Sequence, residues 1–274
     1  MSGADFFSDE SPINPYYGVE KIDLEKAKNE HNSIKRAFES AGIEVIQVAP
    51  PKDCQDGVYT ANWALCRNDR AVLSRLPDVR RGEHACAKKA LQKAGYGVLE
   101  VPDDWLFSGQ GDSLSCGKYL LAGSGYRSDS RAQQFAAEAL GFELIQLHTL
   151  PKTENGEPVI NKSSGLPDSF FYDIDLAVSI LRDDLIAYCP EALDEQSRAK
   201  MENLPIEKII VDLDEAMQGL ACNLVSTGET VIMSAHAPKL QTEIEKCGLK
   251  TILVDAPELS KGGGYIRCVS LTLN

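Results

Sequence analysis

The chain has 274 residues, of which 43% are hydrophobic and 25% are charged, a composition typical of soluble globular proteins. Its formal net charge of −13 argues against nucleic acid or an anionic membrane as a partner, because such surfaces are bound through patches of Lys and Arg. The N-terminal region contains no apolar segment of the signal-peptide type, and no apolar run reaches the length of a membrane span. Eight cysteines occur without a Cys-x-x-Cys pair or a metal-ligand spacing. We therefore expect reduced thiols and a cytoplasmic protein without a metal site.

A pattern of helix followed by short apolar strand occurs five times along the chain. The predicted helices are 25–40, 82–93, 130–140, 195–203 and 237–246. Each leads into a short strand, at 42–48, 95–101, 141–147, 207–213 and 248–254 respectively. Four of the helices are preceded by a further apolar run, at 71–76, 119–122, 185–189 and 230–234. The repeat predicts an α/β protein built from five similar units.

Strand-like segments with unusual polar residues come before these units. They are 58–62, 107–114, 171–181, 222–225 and the C-terminal 265–273. Asp and Asn inside strands cost free energy unless they are satisfied, so the segments are expected to meet around a shared polar pocket on the axis of a closed ring. No linker rich in Pro, Gly or Ser divides the chain, so we expect one domain over residues 1–274. The polar insert 152–167 is predicted to be a surface loop that could act as a lid.

The last seventeen residues carry the most informative local pattern. A glycine triplet leads into a strand-like segment that contains Cys268. Glycines allow a close approach of backbone and ligand, so the thiol can lie at the mouth of a pocket. The alternative is a terminal strand that buries a small apolar thiol.

Seven short motifs, in order along almost the whole chain, resemble the pentein superfamily and within it the amidinotransferase and dimethylarginine dimethylaminohydrolase group. They are Ile13–Pro15, Asp56–Asn62, Phe107–Asp112, Gly125–Asp129, Phe171–Asp175, Ala221–Leu224 and the closing Gly-Gly-Gly…Cys-Val-Ser-Leu. The resemblance implies a pentein five-bladed α/β propeller of pseudo-symmetric ββαβ units. It also implies a hydrolase or amidinotransferase that acts on the guanidino group of arginine or a substituted arginine through a covalent cysteine adduct, without a cofactor.

The resemblance assigns roles to eight residues. Cys268 matches the nucleophile, and a bound guanidinium would favour its thiolate. The other positions are the guanidinium-binding Asp56 and Asp175, Asn62 near the guanidino group, Asp112 at the end of the glycine motif, Arg127 for the substrate carboxylate, and Ser108 and Asp173.

Two of these positions depart from the family pattern. Asp173 stands where the family has a His that acts as general acid and base, and Ser108 stands where it has the Glu that orients this His. In one interpretation Asp173 is the substitute acid and base, because residues 173 and 175 would lie on one side of a strand and like charges raise one pKa. In the other, the protein binds a cationic guanidino ligand without turnover. Oligomeric state is open, including a homo-oligomer.

Further alternatives rest on single residues. His236 could replace the missing base, although a His just before a helix is more often a cap or surface residue. Cys66 or Cys116 could be a second reactive thiol, and the carboxylates of residues 112, 173 and 175 could bind a divalent cation. The pair Asp183 and Asp184 fits a hairpin turn.

Overall fold

The computed structural model describes residues 1–18 and 20–273. Its α-helices are α1 (Leu24–Ser40), α2 (His84–Lys93), α3 (Ser130–Leu140), α4 (Glu195–Asn203), α5 (Leu213–Gln218), α6 (Pro238–Lys246) and α7 (Pro257–Ser260). The first seven strands are β1 (Ala64–Arg67), β2 (Arg70–Leu73), β3 (Gly97–Glu100), β4 (Ser113–Cys116), β5 (Tyr119–Gly123), β6 (Glu143–Leu147) and β7 (Thr153–Glu154). The remaining strands are β8 (Glu157–Pro158), β9 (Val178–Arg182), β10 (Leu185–Tyr188), β11 (Glu207–Ile210), β12 (Val225–Ser226), β13 (Thr230–Ser234) and β14 (Lys250–Val254).

Within the described residues, four three-stranded sheets share one topology. They are β1-β2-β3, β4-β5-β6, β9-β10-β11 and β12-β13-β14, given in order of pairing. In each sheet the first two strands pair antiparallel, a helix follows, and the third strand pairs parallel to the second. The connecting helices are α2, α3, α4 and α6. Four ββαβ units with the expected helices and outer strands are therefore present.

The middle strand of each unit forms the core. All residues of β10 are buried, as are the last four of β5 and of β13. A strand covered on both faces must be apolar throughout, which explains the continuous apolar runs in the sequence. The third strands are only partly buried, and Ile210 at the end of β11 is 57% exposed.

The helix-to-strand unit that begins with α1 differs from the prediction. After α1, the expected strand 42–48 is reduced to one bridge between Val48 and Ser2. Ile46 is 51% exposed, so this segment lacks the two-sided burial that holds the other strands. The C-terminal segment 265–273, expected as an inner strand, forms turns and extended chain.

The polar segments also differ in part from the prediction, because their Asp and Asn residues lie in turns, and only the ends of 107–114, 171–181 and 222–225 enter β4, β9 and β12. Short 3₁₀ helices at Thr60–Trp63, Gly109–Gly111 and Ile174–Leu176 precede β1, β4 and β9. Residues 222–224 form a turn before β12. These polar motifs therefore precede the first strand of each unit. They lie at the end of that strand that is opposite its hairpin turn.

Two smaller predictions concern loops. Asp183 and Asp184 form the turn between β9 and β10, as expected. The insert 152–167 is mostly exposed and contains the two-stranded hairpin β7-β8. None of the helices in the described ranges has the length and apolar composition that crossing a bilayer requires.

Candidate active site

The loop that carries Cys268 is held by one buried side chain, Asn223. Its Oδ1 accepts backbone hydrogen bonds from Tyr265, Arg267 and Cys268, at 3.0–3.1 Å. Its Nδ2 donates to the Cys268 Sγ at 3.1 Å. Asn223 is fully buried, so these bonds fix both the loop backbone and the thiol. Sequence reasoning gave Asn223 no role, although an Asn within an otherwise apolar segment was a usable signal.

The glycine triplet before this loop allows close packing against aromatic rings. A Cβ on Gly264 would lie 2.4 Å from the Tyr59 ring and 2.9 Å from the Cys268 Cβ. Gly263 has a φ of +81°, which side chains disfavour. Gly263 and Gly264 are thus required where the loop packs against neighbouring side chains.

The thiol is covered and does not lie at an open pocket mouth. Cys268 is 2% exposed, and an N-terminal segment packs over its loop. Asn14 donates to the Gly262 carbonyl at 2.9 Å, and the Tyr16 hydroxyl donates to the Phe170 carbonyl at 3.1 Å. These contacts cover the thiol loop on the side of the N-terminal segment, whereas a cavity of about 570 Å³ reaches the neighbouring Asp175.

Asp175 is the carboxylate nearest to the thiol. Its Oδ2 lies 3.4 Å from the Cys268 Sγ, and its Oδ1 is buried without a hydrogen-bond partner. Burial, and secondarily the neighbouring Asp173, raise the pKa of Asp175 to about 8. Burial and the charges of Asp175 and Asp173 also raise the pKa of the Cys268 thiol well above its usual value. The site therefore holds a protonated thiol beside a carboxyl group, one oxygen of which lacks a donor.

Asp173 lies in a hydrogen-bonded cluster with two other predicted site residues. Its Oδ2 accepts from the Asn62 Nδ2 at 2.7 Å, and its Oδ1 accepts from the Ser108 hydroxyl at 3.3 Å. Asn62 also donates to the Ser108 hydroxyl at 2.9 Å. A Cβ on Gly111 would lie 2.2 Å from the Asn62 Nδ2, so the cluster depends on this glycine. Asp173 precedes a 3₁₀ turn, so the expectation that residues 173 and 175 share one side of a strand is wrong.

Arg80 supports this cluster from behind, and the sequence gave no indication of it. It donates to the Asn62 Oδ1 at 2.8 Å and to the carbonyl oxygens of Asp56 and Tyr59. Its guanidinium also pairs with the buried Glu83 at 2.7 Å. Since Arg80 binds the Asn62 oxygen, the amide nitrogen of Asn62 is left to face Asp173.

Asp112 lies next to Asp173 and is anchored on both oxygens. It accepts from the Ser128 hydroxyl at 2.8 Å and from the Ile174 backbone at 3.1 Å. Burial and the neighbouring Asp173 raise the pKa of Asp112 well above its usual value. These bonds place Asp112 as a support for the turn that carries residues 173–175.

Arg127 and Asp56 lie at the edge of the cluster. The Arg127 guanidinium stacks on the Tyr172 ring at 3.9 Å and approaches the Asp173 Oδ2 at 3.9 Å. Asp56 is buried and accepts a hydrogen bond from the Tyr17 hydroxyl. Neither residue has a direct hydrogen bond to the thiol in the described structure.

The alternative candidates lie elsewhere. His236 is exposed and pairs with Asp255 at 2.9 Å. Cys66 and Cys116 are buried, and burial raises their pKa values to about 12 and about 11. Within residues 1–18 and 20–273, no group of three or more His, Cys, Asp or Glu side chains is arranged to hold a metal ion.

The sequence and fold were compared with known proteins. The family model for eukaryotic N,N-dimethylarginine dimethylhydrolase matches residues 13–273. The N(G),N(G)-dimethylarginine dimethylaminohydrolase of Mycobacterium tuberculosis is 29% identical and is matched over 100% of this chain and 85% of its own length. The bifunctional arginine dihydrolase/ornithine cyclodeaminase ArgZ of Synechocystis is 28% identical over 99% of this chain, which spans only 37% of that protein.

The solved structures agree with the sequence matches. The N-terminal domain of ArgZ, a cysteine-to-serine mutant bound to substrate, superimposes with a TM-score of 0.88 at 27% identity, covering 99% of this chain and 96% of that one. The same domain bound to product also gives a TM-score of 0.88, at 28% identity, over 99% and 95% of the two chains. The expected class of enzyme, a hydrolase of guanidino groups that uses a cysteine, is confirmed at the level of the family. With a match that extends over nearly its whole length, the chain belongs to the N,N-dimethylarginine dimethylhydrolase family.

Proposed function

We propose that this protein hydrolyses a C–N bond in the guanidino group of arginine or a methylated arginine, with Cys268 as the nucleophile. The observation that carries the proposal is the contact between the Cys268 Sγ and the buried Asp175, whose second oxygen lacks a donor. A guanidinium has planar N–H groups, which would donate to the unpartnered Asp175 oxygen. Its positive charge would lower the raised pKa of the Cys268 thiol. The substrates named for the relatives, dimethylarginine and arginine, both carry this group.

The reaction follows from the charges in the site. The cation pairs with the Asp175 carboxylate and lowers the pKa of the thiol, so the substrate helps to form its own attacking thiolate. The thiolate sulfur bonds to the guanidinium carbon, a C–N bond breaks, and the leaving amine takes a proton. Water then adds to the thiouronium carbon, the C–S bond breaks, and the products are a ureido compound and the regenerated thiol. A transferase would differ only in having an amine in place of this water.

Asp173 is the proposed acid and base for both proton transfers. Asn62 and Ser108 hold its two oxygens, and Asp112 supports the turn on which it lies. Arg127 is proposed to bind the substrate carboxylate and Asp56 to assist in binding the guanidinium. Asn223 positions the thiol through its bond to the sulfur.

We also propose that the units close into a five-bladed propeller within one domain over residues 1–274. The first strands of neighbouring sheets lie side by side, since β4 contacts β9 and β9 contacts β12. The C-terminal segment runs beside the turn before β1, where Ala61 donates to the Cys268 carbonyl at 3.0 Å. The fifth blade would then combine α1 with the two chain ends. Eight free thiols fit a reducing compartment such as the cytoplasm.

One observation favours the alternative of a binding protein without turnover. Both oxygens of Asp173 already accept hydrogen bonds, and Arg127 lies close to one of them. These contacts occupy the carboxylate and compete with the transfer of a proton to it. The rival function keeps the guanidinium site and lacks efficient proton transfer.

A panel of guanidino compounds separates the two functions. Arginine, methylated arginines, agmatine and acylated arginines would be assayed for ammonia, alkylamine and ureido product. We expect turnover of arginine or a methylated arginine by the wild type, and none by Cys268→Ala. Cys247→Ala is the matched control, because this half-buried thiol lies at the end of α6, away from the site, and its loss should leave turnover unchanged. Thermal stabilisation by one compound, without turnover in the wild type, would establish the binding protein.

The pH dependence of kcat/KM follows from the pKa of Asp175, which is about 8 in the free site. The cationic substrate binds the ionised carboxylate, so kcat/KM should rise about tenfold per pH unit below pH 8 and level off above it. In the complex the cation keeps Asp175 ionised, and kcat should lack this limb. Steady-state kinetics between about pH 6 and pH 9 provide both profiles. A flat or falling kcat/KM below pH 8 contradicts the proposed clamp.

A further inference from the structure

Solvent reaches three of the eight cysteines, and the proposed reaction uses none of these three. Cys54, Cys86 and Cys247 are half-buried, whereas the other five are buried. Cys54 lies in the turn before Asp56, where Gly57 donates to its carbonyl, and Cys86 lies in the first turn of α2. The two come from segments that are distant in sequence, so their relative position is set by the fold.

The sulfur of Cys54 lies against the helical turn that precedes Cys86. A Cβ on Gly82 would lie 2.9 Å from the Cys54 Sγ. Gly82 belongs to a 3₁₀ helix, Asp78–Glu83, which continues into α2 because His84 at the junction has right-handed helical backbone. Side chains four residues apart on a helix share one face, with Cβ atoms about 5–6 Å apart, and each leans toward the preceding turn. The Cys86 thiol is therefore directed toward the turn on which the Cys54 sulfur lies.

The electrostatics of Cys54 agree with this position. Burial raises the pKa of the Cys54 thiol, and the neighbouring Glu83 and Cys86 raise it further. Each thiolate disfavours the other only if the two sulfurs are neighbours. A raised pKa leaves little thiolate near neutral pH, so the thiols react slowly there and faster in mild alkali.

We propose that Cys54 and Cys86 are a redox-active pair that forms one intramolecular disulfide on reaction with a low-molecular-weight disulfide. The thiolate of one cysteine attacks a sulfur of the small disulfide, whose S–S bond breaks and releases a small thiol. The second protein thiolate attacks this mixed disulfide and releases the second small thiol. The two protein sulfurs lose two electrons, and the small disulfide is reduced to two thiols that take up the two protons.

The position of the pair connects it with Asp56. Arg80, from the same 3₁₀ helix as Gly82, donates to the Asp56 carbonyl at 3.0 Å, two residues after Cys54. A disulfide bond is about 2 Å long, shorter than any non-bonded contact, so oxidation draws this turn toward the helix and shifts Asp56. Asp56 is proposed to assist in binding the guanidinium. This second part of the proposal, weaker substrate binding after oxidation, rests on the proposed function.

Peptide mapping tests the disulfide without any need for turnover. The protein would be treated with oxidised glutathione at about pH 8.5, where thiolates are more abundant, and then denatured and digested with trypsin. Cys86 falls in peptide 82–88, and Cys54 falls in peptide 53–67, which also contains Cys66. We expect the count of free thiols to fall by two from eight, these two peptides to be linked, and dithiothreitol to reverse both changes.

Single substitutions identify the sulfurs. Cys54→Ser and Cys86→Ser should each abolish the linked peptides. Cys247→Ser is the matched control, because this half-buried thiol lies at the end of α6 and its loss should leave the link intact. An unchanged thiol count, or a glutathione adduct that persists on Cys54 or Cys86 without the link, overturns the pair. The same linked peptides in Cys54→Ser would assign the bond to Cys66 and overturn it as well.

Turnover tests the connection separately. Oxidation of the wild type should raise KM for the guanidino substrate about threefold or more and leave kcat within about twofold, because binding is altered and the chemistry is not. Cys54→Ser should match the untreated wild type and should not respond to the same treatment. A disulfide with unchanged KM would overturn the connection with Asp56 and leave the pair standing. A protein without turnover on the guanidino panel would fail the proposed function, and the peptide map would still decide the pair.

Discussion

Replacement of Asp175 by Asn is expected to abolish turnover and, at the same time, to stabilise the free protein. Turnover should fall by about 10³-fold or more, because the substituted amide cannot pair with the guanidinium cation or favour the thiolate beside it. The free protein should gain roughly 1–3 kcal/mol at pH 8.5, because a carboxylate whose ionised form is disfavoured by burial is replaced by a neutral amide.

The sign of the pH effect distinguishes this cause from a packing change. Asp175 has a folded pKa of about 8, above its usual value of 3.8, so its contribution to stability is largest in acid and is lost as the pH rises to 8. Asn has no such loss. The gain in Tm of Asp175→Asn over wild type should therefore be larger at pH 8.5 than at pH 5.5.

Thermal melting at the two pH values, together with turnover, checks this prediction. Asp184→Asn is the control, because Asp184 is 78% exposed in a surface pair with Arg182 and should change neither quantity. Retained turnover in Asp175→Asn, or a lower Tm at pH 8.5, would show that Asp175 has a structural role and is not the guanidinium clamp.

The sequence predicted those features that depend on local pattern. Apolar runs such as 119–122 become buried middle strands, and helices such as 130–140 are found with the expected bounds. The unit with α1 could not be predicted in the same way, because Val48 pairs with Ser2, a residue 46 positions away in sequence. A pairing of this kind is set by tertiary contact and leaves no periodicity in either segment.

The structure brings most of the predicted site residues close together, but their geometry was not predicted. Segment 58–62 contains Val, Tyr and Thr, which favour strands, yet it forms a turn because Asn62 must reach Asp173 and Ser108. Gly111 permits that approach, since any side chain there would overlap the Asn62 amide. The roles of Arg80 and Asn223 depend on contacts between distant segments. Neither could be inferred from spacing in the sequence.

The predicted departure from the family pattern at Asp173 is compatible with this geometry. A His at this position would need a partner on the side where Ser108 now lies, and a short hydroxyl leaves room for the Asn62 amide instead. The hydrogen bonds among Asn62, Ser108 and Asp173 are thus compatible with one another. If Asp173 is the acid and base, as proposed, the proton transfers pass through a carboxylate that is held by an amide.

Asp173→Asn is accordingly expected to reduce kcat by about 10²–10⁴-fold, the usual contribution of a general acid or base. The amide oxygen of the variant can take the place of the Asp173 Oδ2 and still accept from Asn62, so the cluster and the folded state should persist. KM should change much less than kcat, because Asp175 remains to bind the guanidinium. Steady-state kinetics and a melting curve of the variant supply the measurements.

Ser108→Ala is the comparison that separates chemistry from positioning. Its bond to Asp173 is long, 3.3 Å, and the Asn62 bond to Asp173 remains, so the loss in kcat should stay below about tenfold. An Asp173→Asn variant within a factor of about three of the wild type would exclude Asp173 as the acid and base. Among the described residues, Asp175, with a pKa of about 8, would then be the carboxyl group in contact with the thiol that could exchange protons near neutral pH.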